Sequence, residues 1–173
     1  RCPLCGKMST GMEDILMIRY AVENDFALLR EFDHHISEAE LKNSIRANRV
    51  LVMYHNAVFM GWLRFNLFWD SIPFMNMLYF LEAYRGKGYG RRLTAFWEKE
   101  MYDSGFRMVL TSTLSNEQAK FFYRKNGYTD CGSLLLPEEP LEIILRKDLV
   151  PFPEASAARH IPGTFMGYNN KEN

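Results

Sequence analysis

The chain has 173 residues, about one domain at ~150 residues per domain. Apolar residues make up 47% and charged residues 24%, which excludes a chain disordered throughout and leaves enough material for a sizeable core. Lys and Arg number 21, as do Asp and Glu, so the basic excess of a duplex-DNA or anionic-membrane binder is missing.

Residues 1–11 read as a short polar appendage opening on Arg1-Cys2-Pro3-Leu4-Cys5-Gly6. It lacks the apolar stretch of a secretion signal, and a start without Met reads as a processed or trimmed chain. Cys2 and Cys5 form half of a zinc knuckle. Structural zinc wants four ligands, and a second Cys-x-x-Cys is absent, so no metal is expected. Three cysteines, an odd number, argue against a disulfide framework and for a reducing, cytoplasmic setting.

The domain proper is expected over residues 12–149. Ile15–Tyr20 reads as a strand and Glu23–Phe32 as a helix with acidic residues in its first turn. Ser37-Glu38-Ala39-Glu40 is a capping box opening a second helix that runs to about Asn48. Val50–Tyr54 and Val58–Leu67 are strands joined through His55-Asn56-Ala57, a hairpin signal. Asp70-Ser71-Ile72-Pro73 breaks the chain, and Phe74–Leu81 resumes as a central strand, apolar on both faces except at Asn76. A long helix then carries Leu93, Phe96, Trp97 and Met101 on one stripe and ends at Gly105. Met108–Thr113 is a strand, and Ser115-Asn116-Glu117-Gln118 is a second capping box before a helix ended by Gly127. Tyr128–Leu136 and Leu141–Lys147 form a last strand pair. Residues 150–173 lose all periodicity and read as a loosely held tail. The expected class is mixed α/β, in the order β-α-α-β-β-β-α-β-α-β-β.

The most informative stretch runs from Leu78, Tyr79, Phe80 and Leu81 through Glu82 to Arg85-Gly86-Lys87-Gly88-Tyr89-Gly90-Arg91-Arg92. A strand, a glycine-rich turn and a helix N-terminus together aim backbone N–H groups and partial positive charge at one point. With four cations alongside, the natural ligand is a pyrophosphate. The Walker pattern fails because Lys87 is followed by Gly88, not Ser or Thr. The dinucleotide fingerprint fails because Arg91 or Leu93 stands where its third small residue belongs.

The pattern Arg/Gln-x-x-Gly-x-Gly/Ala is met by Arg85, Gly88 and Gly90. Here the chain resembles the GNAT superfamily of acyl-CoA-dependent N-acetyltransferases. The stretch Asn116 to Tyr128, with Ala119, Phe122, Tyr123 and Gly127, resembles that family's second motif. The resemblance spans roughly Met17 to Leu149. It implies a GNAT-like fold with acetyl-CoA as co-substrate and an amine as acceptor, small molecule or peptide. The implied cofactor-binding residues are Leu78, Tyr79, Phe80, Leu81, Arg85, Gly86, Lys87, Gly88, Tyr89, Gly90, Arg91, Asn116, Phe122 and Tyr123. Asn116 would touch the pantetheine arm, and Tyr123 would lie near the thioester sulfur and protonate it. A catalytically silent acyl-CoA sensor of the same fold is the alternative.

The residues themselves offer Glu82, Asp70, His34 and His35 as bases for the amine, with Glu82, beside the cofactor strand, preferred. His34 and His35 also read as cations at a helix C-terminus. Trp69 and Phe74 bracket the expected break and read as core or as an acceptor pocket. Cys131 reads as a structural small hydrophobe rather than a nucleophile. No nucleic acid, membrane or metal is expected, and the chain is expected as a monomer or homodimer.

Overall fold

The computed structural model describes residues 15–150; the appendage with Cys2 and Cys5 and the C-terminal tail lie outside them. The elements are β1 (Leu16–Tyr20), α1 (Phe26–Phe32), α2 (Glu38–Arg46), β2 (Val50–His55), β3 (Val58–Phe68), β4 (Ile72–Phe80), α3 (Tyr89–Asp103), β5 (Met108–Leu114), α4 (Ala119–Lys125), β6 (Thr129–Leu134) and β7 (Glu142–Asp148). Short 3-10 turns at Glu23–Asp25 and Glu82–Tyr84 precede α1 and the glycine loop. Among the described residues no helix is long and apolar enough to cross a membrane.

One mixed seven-stranded sheet organises these elements, in the spatial order β1-β2-β3-β4-β5-β7-β6. Strand alternation sorts its side chains to two faces. Leu51, Met53, Met60, Leu63 and Met75 pack with Leu93 and Trp97 of α3 and Tyr123 of α4. Val50, Val52, Phe59 and Trp62 pack on the other face with Leu29 of α1 and Leu41 and Ile45 of α2. The sheet is therefore a three-layer core, and its middle is where a site can be built from both strand ends and helix ends.

Two turns are tighter than the sequence implies. Asn56-Ala57 and Trp69-Asp70 all have positive φ; Asn56-Ala57 is a two-residue hairpin turn between His55 and Val58, and Trp69-Asp70-Ser71 a three-residue one between Phe68 and Ile72. The expected break at 70–73 is thus a continuous β3–β4 hairpin, with Pro73 inside β4 opposite Leu67. The first helix opens as a 3-10 turn because Asp25 accepts from the Val22 N–H at 2.7 Å and holds Arg19 at 2.6 and 2.8 Å. Ser37 caps α2, its Oγ accepting from the Glu40 N–H at 3.2 Å. The second expected capping box does not form. α4 begins only at Ala119, with Gln118 at the N-cap and no side-chain cap, and Glu117 Oε2 accepts from the Thr113 hydroxyl at 2.8 Å. Cys131 is exposed rather than packed as a structural hydrophobe, because it lies in the edge strand β6, every residue of which is exposed.

Buried charge joins the layers. Asp33, fully buried at the end of α1, accepts from Arg64 of β3 at 2.9 and 3.4 Å. On the other face, buried Glu98 of α3 accepts from the Tyr128 hydroxyl at 2.9 Å and from Lys147 Nζ at 2.6 Å. Burial, and then the Glu98 carboxylate, push the Tyr128 phenol well above its ordinary pKa; burial and Glu100 do the same for Tyr20.

These phenols stay protonated in the fold at a pH where unfolded tyrosines ionise, so the folded chain binds more protons than the unfolded one. The stability they contribute is full below pH ~10 and lost as pH rises beyond it. Urea midpoints should be level from about pH 8 to 9.5 and fall steeply toward pH 12. Tyr128→Phe should flatten part of that fall. A midpoint unchanged at the alkaline end would contradict the role given to these buried phenols.

Candidate active site

The site begins with a failure of strand pairing. β4 and β5 are parallel neighbours joined only at Phe74–Leu110 and Met75–Thr111, after which they separate. On its other side β4 pairs with β3, and the register shifts there. Arg64 faces Met77 and Phe65 faces Met75, so Asn76 is an extra residue, a bulge at the point of separation. The bulge turns Met75 into the α3 layer, while Met77 and Tyr79 face the α1–α2 layer. Gly61 keeps β3 against β4 just beyond: a Cβ there would lie 2.2 Å from the Tyr79 carbonyl oxygen.

Thr111 closes the base of the opening. Its hydroxyl donates to the Met75 carbonyl at 3.0 Å, and the Tyr123 phenol lies close to it. Tyr123 is buried against Tyr128 and Phe122. Burial pushes its phenol above the ordinary value and the Glu117 charge adds to this, with Thr111 offsetting part. Tyr123 therefore holds its proton through neutral and moderately alkaline pH and is equipped to donate it, not to act as a base.

From this base a groove of about 720 Å3 runs outward between β4, the start of α3 and α4. Leu78, Tyr79 and Phe80 line one side, and Tyr84, Arg85, Gly86, Gly88, Tyr89, Gly90 and Arg91 its loop end. Ala119, Phe122, Tyr123, Lys125 and Asn126 of α4 line the other side. Three of these residues are cations and none is a carboxylate. Gly88 is the N-cap of α3 at φ 83°, with no side chain to cap the first turn, so the leading N–H groups of a 15-residue helix are left for a ligand.

Of the residues expected to bind the cofactor, together with Glu82 as the preferred base, most meet here and four do not. Leu81 packs toward the α1–α2 layer. Lys87 donates to the Ala83 carbonyl at 2.8 Å and is exposed, as are Glu82 and Asn116; none of the four lines the groove. Arg85 lines it but is built into its wall, donating to the Phe80 carbonyl at 2.8 Å with its guanidinium over the Tyr79 ring. His34 and His35 are exposed between α1 and α2. Trp69, 78% exposed, sits on the β3–β4 turn with its ring tilted against that of Phe68, at the opposite end of β4 from the glycine loop. Lys125 and Asn126 escaped the sequence reading, although they follow Ala119 and Phe122 at helical spacing.

The family model described as acetyltransferase (GNAT) matches residues 14–128. Comparison with curated protein sequences gives no significant match. Among solved structures, Ard1 from Thermoplasma volcanium is similar at TM-score 0.68 and 13% identity, over 79% of this chain and 99% of that one. The PaiA N-acetyltransferase from Thermoplasma acidophilum, in complex with coenzyme A, is similar at TM-score 0.65 and 18% identity, over 78% and 99%. YncA from Salmonella typhimurium, with its cofactor acetyl-CoA, is similar at TM-score 0.65 and 19% identity, over 84% and 100%. At these identities the likeness is one of fold.

The two glycines closest to the α3 N-terminus should respond differently to a methyl group. Gly88 has φ 83° with nothing within 4 Å of a built Cβ, so its constraint is conformational. Gly90 has an ordinary helical backbone, and its Cβ would meet the Phe122 ring at 3.5 Å, a normal contact. Gly88→Ala should therefore cost roughly 1–2 kcal/mol in unfolding free energy, whereas Gly90→Ala should stay within about 0.5 kcal/mol of the parent. Thermal denaturation of both variants checks this, and equal losses would contradict the backbone assignment at Gly88.

Proposed function

Because the chain belongs to the acetyltransferase (GNAT) family, we propose that it moves the acetyl group of acetyl-CoA to a primary amine by direct attack, with no acyl-enzyme. The observation that carries this reading is the opening between β4 and β5 beyond Met75, with a protonated, buried tyrosine at its base and a cationic groove leading to it.

The groove fits acetyl-CoA on its own chemistry. Uncapped N–H groups of α3, Arg91 and the left-handed glycines suit a pyrophosphate. Leu78, Phe80, Ala119 and Phe122 give the pantetheine arm an apolar wall, and the β4 edge beyond Met75 has no strand partner on β5 and is free to pair with its amides. Two of the structures of like fold hold coenzyme A or acetyl-CoA.

Bound acetyl-CoA supplies the thioester carbonyl that the amine attacks. A backbone N–H of the unpaired β4 edge meets the carbonyl oxygen as it gains charge, and being fixed in the sheet it needs no reorganisation. The Tyr123 phenol delivers its proton to the departing sulfur. The walls of the groove hold the two reactants in one orientation. An amine of pKa ~10.4 is neutral in only about one molecule in 10³ at pH 7, roughly 4–5 kcal/mol uphill, so the rate should climb with pH. Glu82 and Asn116 carry no role in this reading, because neither lines the groove.

Tyr123→Phe keeps the ring and its packing and removes only the hydroxyl group. Stability and acetyl-CoA affinity should hold, while the rate with a working acceptor falls on the order of 10²-fold, the low end of general-acid effects for a thiolate that already leaves readily. Calorimetry and turnover of the same preparation separate the two. A variant running at the parent rate from about pH 6 to 9 would remove Tyr123 from the mechanism.

A further inference from the structure

The polar side chains of the groove fall into two groups. Arg85 is engaged with the Phe80 carbonyl and the Tyr79 ring, and the Asn126 amide donates to the Phe122 carbonyl at 2.8 Å. Tyr123 is buried, its ring packed against Phe122 and Tyr128. Arg91 and Lys125 are different: among the described residues neither has an ion-pair or hydrogen-bond partner, and no carboxylate lines the groove to neutralise them. Lys125's neighbour Arg124 shows the contrast, being paired with Asp130 at 2.6 Å.

The two unpaired cations belong to opposite walls. Arg91 is in the first turn of α3, where the helix N-terminus and the left-handed glycines already attract a pyrophosphate. Lys125 is in the last turn of α4, one turn beyond Phe122, the residue whose ring lies against Gly90. A helix C-terminus carries partial negative charge and offers an anion nothing from its backbone. A phosphate on that wall must be held by the side chain itself, and an ammonium on a four-carbon stem suits a compact, doubly charged phosphomonoester. Resting on the acetyl-CoA reading above, we propose that Lys125 binds the 3′-phosphate of the adenosine end of coenzyme A, so that the chain distinguishes coenzyme A from 3′-dephospho-coenzyme A. The α3 side then holds the pyrophosphate and the α4 side the 3′-phosphate. The phosphomonoester carries about −1.5 to −2 charges at pH 7, against none once it is removed.

The test is calorimetric titration of the parent, Lys125→Ala and Lys125→Arg with coenzyme A and with 3′-dephospho-coenzyme A, at low and at physiological salt. The parent should bind coenzyme A about 10-fold or more tightly than the dephospho form, the scale of a charge-assisted hydrogen bond. Lys125→Ala should lose that preference to within about 2-fold by weakening coenzyme A alone, with dephospho-coenzyme A bound as by the parent, and Lys125→Arg should restore it. A parent that does not distinguish the two, an alanine variant that keeps the parent's preference, or one that weakens both ligands equally overturns the assignment while leaving the acetyl-CoA site standing. Binding of neither ligand by the parent would remove that site, and this inference with it.

Discussion

Everything in the site follows from how briefly β4 and β5 stay together. Two residue pairs join them, ending at Met75 and Thr111, and the bulge at Asn76 directs β4 away from that point. A parallel pair that continued would bury this backbone in hydrogen bonds and leave no room for a ligand. The opening leaves part of the β4 edge without a strand partner in the middle of an otherwise paired sheet. Such groups are costly unless water or a ligand meets them, so the sheet holds a ready-made docking edge. The Thr111–Met75 hydrogen bond, the tight contact of Gly61 with Tyr79 and the burial of Tyr123 keep that opening from closing or widening.

Charge is distributed around the same point with a clear division. Carboxylates that might repel a polyphosphate are engaged elsewhere: Asp33 with Arg64 under α1, Glu98 with Lys147 and Tyr128 under α3, Asp130 with Arg124 beside α4. The groove keeps Arg85, Arg91 and Lys125 with no acid opposite them. Zero net charge over the chain therefore coexists with a locally positive groove, and local placement, not the total, decides what this surface attracts.

Features written in short stretches of sequence were readable, and features that depend on distant partners were not. The Ser37 cap, the turn at Asn56-Ala57, the end of α3 at Gly105 and the strand–glycine–helix unit around Gly88 are each decided by a few adjacent residues, and the mixed α/β class follows from them. The sequence marks Asn76 only as a lone polar residue in an apolar strand; that it is an extra residue, a bulge, shows only in the register with β3. Ser115 to Gln118 carry the letters of a capping box, but α4 starts only at Ala119, which leaves Gln118 at the N-cap with no side-chain cap. Cys131 resembles a core residue by type, yet β7 takes the place beside β5 and leaves β6 as the exposed edge. Gly86, Gly88 and Gly90 look alike in sequence, but the first two need a left-handed backbone and Gly90 needs only room beside Phe122. Glu82 adjoins the right strand, but its side chain lies outside the groove.

The central claim is that the opening between β4 and β5 is a place where an amine meets an acetyl thioester. Its most direct measurement is release of the coenzyme A thiol from acetyl-CoA by the purified chain, across a panel of peptides with free N-termini, lysine-containing peptides and small primary amines, with products identified by mass spectrometry. The account predicts that at least one amine class raises thiol release well above the amine-free rate, with N-acetyl product formed one for one and no acetyl group left on the protein. Tight binding of acetyl-CoA with no amine-dependent release in any class, or an acetylated protein side chain as an obligatory intermediate, would contradict it.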